Sequence, residues 1–183
     1  MKYIIIIIFY FLVSCQQSND KSSKLSTTNK KNDSIPKNEV APVSLDISAA
    51  KFWLSKVISE HFDGSNPDMQ NITTPEYFEF KMDAMNVGLD TEVSLTEEEF
   101  NKKWGNKYEV NTHPIYTGFL ISGQDWGKIV VKQIEIKKIN TESRSIVFET
   151  LIRDNDFGVD YDRDIVVVEK DGKFLISDVF EYD

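Results

Sequence analysis

Hydrophobic and polar positions divide the chain into four stretches of different character. Residues 3–13 are apolar or aromatic throughout, residues 16–44 show no hydrophobic period, and the rest is helix-like first and strand-like afterwards. In the helix-like half, Ser48 can cap a helix whose apolar positions are Phe52, Trp53, Val57, Ile58 and Phe62, ended by Asp63-Gly64-Ser65. Thr73 and Glu76 have capping-box spacing and Pro75 suits a first turn. Tyr77, Phe78, Phe80, Met82 and Met85 then carry the apolar bulk up to Gly88. Thr96 and Glu99 make a second box, opening a short helix through Phe100 and Trp104 to Gly105. Aromatics at helical spacing, from Phe52 to Trp104, are most simply core.

The second half predicts strands. A first one is expected over 115–122, entered after Pro114. From 129 to 139, Val130, Ile134 and Ile136 share one face while Gln133, Glu135 and Lys137 take the other. Ile146, Phe148 and Ile152 repeat the pattern after the polar turn Asn140-Thr141-Glu142-Ser143. Residues 165–169 and 173–180 flank Lys170-Asp171-Gly172, and Asp-Gly between apolar runs signals a hairpin because both residues tolerate positive φ. Helices followed by a meander of antiparallel strands predict an α+β domain, its N-terminal helices packed on one face of a curved antiparallel sheet. With no internal repeat and no second boundary, residues 45–183 are expected to form one domain around a single core.

The apolar run at 3–13 is too short to cross a bilayer, which takes about 20 residues, and follows a positive Lys2. It has the length of a secretory h-region. Leu12-Val13-Ser14-Cys15 closes it and resembles a bacterial lipobox. The resemblance implies a signal peptide over 1–14, cleavage before Cys15, and a diacylglycerol and a further acyl chain (palmitate-type) on that residue. Cys15 is the only cysteine, so no internal disulfide can form, and lipidation accounts for it. An uncleaved signal anchor, or an ordinary signal peptide with a chance cysteine, are the alternatives. The membrane is then a partner through the N-terminal lipid anchor, since several acyl chains together anchor stably. Gln16 stands where an Asp would resemble an inner-membrane retention signal, which favours the outer membrane; periplasmic and surface sides stay open. Residues 15–44, rich in Ser, Asn, Lys and Thr, are expected to be a disordered tether because they cannot bury enough apolar area to offset ordering entropy.

Charge narrows the partners. The chain carries net −9. Setting aside Lys2 and the tether leaves 15 basic against 27 acidic residues on the domain, a net of −12. That argues against nucleic acid, which needs a basic footprint, and is compatible with a basic protein partner or a small ligand.

Two amphipathic helices, a short third, and strands closing on Asp171-Gly172-Lys173-Phe174-Leu175-Ile176 resemble the nuclear transport factor 2-like (cystatin-like) superfamily. The resemblance covers roughly residues 46–182 and implies a cone-shaped pocket between helices and sheet. Members range from isomerases and dehydratases to binding and immunity proteins, so the fold does not choose a function. In such a cone Tyr116, Asp125 and Trp126 are the candidates. A buried carboxylate beside aromatics can serve as a general base. Gly123-Gln124-Asp125-Trp126-Gly127 also has the composition of a tight turn with a packing tryptophan.

Other chemistry lacks a signature. His61 and His113 have no partner at ligand spacing, and no Gly-x-Ser-x-Gly elbow or glycine-rich phosphate loop occurs. Asp154, Asp156, Asp160 and Asp162 alternate in a way that suits Ca²⁺, yet Gly158 falls one position early for an EF-hand, and Asp164 stands where its Glu belongs. A solvated connection between strands explains the same residues. The expectation is a non-enzymatic, lipid-anchored binding domain without a cofactor, with a pocket isomerase or hydrolase as the alternative.

Overall fold

The first helix is capped two residues before the expected position. In the computed structural model, which describes residues 45–65, 68–123 and 125–182, the Asp46 carboxylate accepts the Ala49 N–H at 2.9 Å and α1 spans Ile47–Phe62. Its buried positions are Ala50, Leu54, Val57 and Ile58, so Phe52, on the opposite side, faces solvent at 72 % exposure rather than joining the core. A single turn, α2 (Met69–Ile72), leads to α3 (Pro75–Asn86), capped by the Thr74 hydroxyl rather than by Thr73, with Pro75 in the first turn. The expected box at Thr96 and Glu99 forms, both hydrogen bonds present, and opens α4 (Glu97–Trp104).

The strands are β1 (Ile129–Asn140), β2 (Ser145–Asp154), β3 (Val159–Lys170) and β4 (Lys173–Glu181). They form an open, wholly antiparallel sheet in the order β1-β2-β3-β4. The protein is therefore α+β. The β3–β4 hairpin turns on Asp171 (φ 52°) and Gly172 (φ 73°), the positive-φ pair expected there. Residues 160–164 belong to β3 rather than to a connection, because the β2–β3 turn needs only 155–158.

The phase of β1 differs from simple alternation. Register shifts at Lys132 and Lys137 each insert one unopposed residue, so Ile129, Val131, Ile134, Ile136 and Ile139 all stand opposite the inward row of β2. Val130, expected to accompany Ile134, lies out of phase for this reason. That inward row, with Ile146, Phe148 and Ile152 fully buried, meets Ile165 and Val167 of β3 and Ile176 and Val179 of β4. Leu54 and Ile58 of α1 and Tyr77 and Phe80 of α3 complete the core, each such burial contributing about 1.5–3 kcal/mol. Residues Pro42–Asp183 form a compact unit by themselves.

Residues 115–122 are not a strand. They run as turns, with Tyr116 and Leu120 both at φ 67°, which no strand accommodates. Tertiary hydrogen bonds take the place of a ladder: the Tyr116 N–H donates to the Ala84 carbonyl at 2.9 Å, and the Glu181 N–H to that of Thr112 at 2.9 Å. The edge of β4 is thereby covered, with help from Thr74, whose N–H donates to the Ile176 carbonyl.

Candidate functional site

The inward face of the sheet carries charge as well as hydrocarbon. Strand register sets Thr150, Arg163 and Glu181 side by side, one row from Phe148, Ile165 and Val179. From α3, Lys81 occupies the buried stripe made by Tyr77, Phe80 and Ala84, and its ammonium lies 2.5 Å from Glu181 Oε1. The Thr117 hydroxyl accepts from Lys81 at 3.1 Å and donates to the Pro114 carbonyl. Arg163 Nη2 stands 3.8 Å from Glu181 Oε2, an oxygen that accepts no hydrogen bond among the described residues. Its guanidinium donates to the Leu120 carbonyl, the Asp162 carbonyl and the Ser122 hydroxyl. Burial drives the Lys81 pKa below the ordinary lysine value, with Glu181 opposing that fall.

This cluster holds the 112–122 segment in place. Next to it, His113 Nε2 and Asp178 Oδ1 are 3.0 Å apart, and the imidazole sits among Phe80, Tyr108 and Phe180. Its other nitrogen faces the Thr112 hydroxyl and the Glu109 carbonyl, so both ring nitrogens are engaged in anchoring the loop.

The loop so held walls a cavity of about 590 Å³, within the range of small-ligand sites. Its lining comes from α1, α2, α3 and the segment 116–126 rather than from a strand. α3 presents Phe78, Met82 and Met85; these three repeat at i, i+4 and i+7, on a different side of the helix from the core stripe. Phe62 at the end of α1 meets Trp126 edge-on, with ring centroids 5.4 Å apart, and His61 meets Phe119 likewise at 5.2 Å. Thr117 touches both the cavity and the buried charges beneath it. Trp126 and Tyr116 are about half exposed and stand at the mouth. The Tyr116 hydroxyl donates to Glu97 Oε1 at 2.7 Å, and that bond raises its pKa.

No protein-family model matches the chain, and neither does any curated protein or solved structure.

Of the sequence candidates, then, Tyr116 and Trp126 come together at one cavity, and Asp125 does not. Asp125 is exposed, outside the lining, in the turn whose composition already suggested one. Gly127 in that turn is required by close approach: a Cβ there would lie 2.4 Å from Asp156 Cβ. The acidic run is consumed by the fold. The Asp154 carboxylate accepts the N–H groups of Gly127, Asp156 and Phe157; burial alone would raise its pKa, but these donors prevail and hold it below the ordinary value. Asp156 accepts the Lys128 N–H, Asp160 is bidentate with Arg153, and Asp162 is an exposed strand residue. Among the described residues no group of three or more His, Cys, Asp or Glu is arranged to hold a metal. Cys15 lies outside the described residues.

Sequence reasoning missed Lys81, Thr117, Arg163 and Glu181. Arg163 and Glu181 do sit at period-two positions after Tyr161 and Val179, and Lys81 follows Tyr77 by one helical turn. A charged residue at an inward phase was the available signal.

Proposed function

We propose that this is a lipid-anchored envelope protein whose cystatin-like domain is a non-enzymatic binding module for a small apolar ligand. The observation that carries the reading is the cavity. Its volume suits a drug-sized molecule, its wall is built from Phe62, Phe78, Met69, Met82, Met85 and Trp126, and its tyrosine hydroxyl is already engaged by Glu97. Methionine is unbranched and polarizable, which suits a wall that adapts to flexible hydrocarbon. Helices before a four-strand antiparallel meander, and the Asp-Gly hairpin at its end, support the cystatin-like assignment. The absence of a strand over 115–122 is a departure from the expected layout, and that segment serves as cavity wall instead.

Titration of the Pro42–Asp183 domain with dodecyl maltoside below its micelle concentration tests the binding reading. Saturable quenching of tryptophan emission, weakened about tenfold or more by Met82→Asp, is the expected result. A linear response, or one indifferent to Met82, refutes it. The anchor rests on the lipobox alone. Cells fed an alkynyl fatty acid should label the wild-type chain and not Cys15→Ser, and label retained in the variant would remove the anchor from the proposal.

A further inference from the structure

The polar groups around the cavity are of one sign. Among the described residues Asp68 is the only Asp, Glu, Lys or Arg in the lining, beside His61 and Thr117, and the Tyr116 hydroxyl brings Glu97 to the rim through its 2.7 Å hydrogen bond. The buried cations beside Thr117 and the 120–122 segment do not offset this. Lys81, below Thr117, faces Glu181 at 2.5 Å, and Arg163 is turned toward Leu120, Asp162 and Ser122. The mouth is also aromatic. Trp126 and Tyr116 stand half-exposed there, Phe62 packs edge-on against Trp126, and Phe78, partly buried, shares its side of α3 with Met82 and Met85. Ring faces attract cations through their quadrupole, most strongly when the cation is large, weakly hydrated and partly removed from water. A carboxylate close by adds to that attraction, and the domain's net −12 favours the approach of a cation over that of an anion.

Resting on the apolar-ligand reading above, we infer that the ligand is a cationic amphiphile, its hydrocarbon against Phe78, Met82 and Met85 and its ammonium head at the mouth between Trp126, Tyr116 and Asp68. An anionic amphiphile of the same length would bring its head against Asp68 and Glu97, with no lining Lys or Arg among the described residues to receive it. A neutral one would gain the apolar wall alone. The cation–aromatic contribution, about 1.4 kcal/mol when partly desolvated, corresponds to a tenfold preference.

The test compares dodecyltrimethylammonium, dodecyl maltoside and dodecanoate on the Pro42–Asp183 domain by calorimetry, each below its micelle concentration and at 0.15 M salt. At that ionic strength distant charges are largely screened. The expected order is cation about tenfold tighter than neutral, and neutral tighter than anion. Asp68→Asn should reduce the cation's advantage several-fold while leaving the maltoside affinity within about twofold, and Trp126→Leu, which also removes part of the apolar wall, should weaken the cation several-fold more than the maltoside. Glu142→Gln, an exposed carboxylate in the β1–β2 turn, should change neither. Equal binding of cation and neutral, tighter binding of dodecanoate, or an equal effect from Glu142→Gln overturns the inference and leaves the apolar-ligand reading standing. Failure of all three amphiphiles to bind overturns both.

Discussion

Glu181→Gln is the substitution that interrogates the buried cluster most directly. The wild type places two cations, Lys81 and Arg163, around one carboxylate, all at or below 3 % exposure. Glutamine keeps the shape and removes the carboxylate that both cations face, leaving Lys81 with the Thr117 hydroxyl at 3.1 Å and two like charges close together in the interior. Uncompensated buried charge of this kind costs about 3–5 kcal/mol. Lys81→Met leaves a different remainder. Arg163 and Glu181 stay as a balanced pair, 3.8 Å apart, so the loss is nearer the penalty of one unsatisfied group, about 1–3 kcal/mol. The prediction is thus an order as well as a size: Glu181→Gln is the worse lesion although it changes fewer atoms. For a domain of this length each kcal/mol moves the melting midpoint by about 3–4 °C, so Glu181→Gln should fall by roughly 10 °C or more. Urea titration of the Pro42–Asp183 domain at pH 7 would read both variants, an unchanged slope certifying that stability alone has moved. A Glu181→Gln cost below about 1 kcal/mol, or Lys81→Met as the costlier change, would refute the assignment of a cation-excess cluster.

Two further outcomes follow from the same geometry. Burial is the first cause that raises the phenol pKa values of Tyr77 and Tyr108 above 10, and the hydroxyl of Tyr182, held by Asp164, is raised to about 12 by burial and that bond. Phenols whose folded pKa is raised stabilise the fold fully below pH 10 and lose that contribution as pH rises from there toward the folded value. Stability should therefore fall above pH 10, by about 1.4 kcal/mol per pH unit for each of the buried phenols Tyr77 and Tyr108, with a shallower fall in Tyr77→Phe. An alkaline limb unchanged in that variant would discount Tyr77. Gly127→Ala should cost about 1–3 kcal/mol, since the new methyl would lie 2.4 Å from Asp156 Cβ and displace the turn that Asp154 holds. Thermal melts within a degree of wild type would show that the turn yields freely.

Sequence by itself determined the elements whose stabilisation is local. The Thr96–Glu99 box, Pro75 in a first turn, the Asp171-Gly172 hairpin and the alternation of β2 are all set by groups a few residues apart, and each was legible there. From those the α+β class followed, with helices first and an antiparallel meander after. Local pattern failed where a contact from elsewhere in the chain prevails. Residues 115–122 have strand-like composition, yet Ala84, Arg163 and Glu181 draw their polar groups away from any ladder. Two bulges reset the phase of β1, which no count of alternating residues reveals, and Asp154, a local support for Asp156 and Phe157, also ties down Gly127 only because that distant turn returns beside it. The cavity belongs wholly to this second class. Tyr116 and Trp126 were visible as aromatics near a glycine turn, but Phe62, Asp68 and Met82 reach them only when three helices and one loop converge. Periodicity records which side of an element is apolar; the partner it meets, and the charge it meets there, are settled by packing over distances that local spacing does not encode.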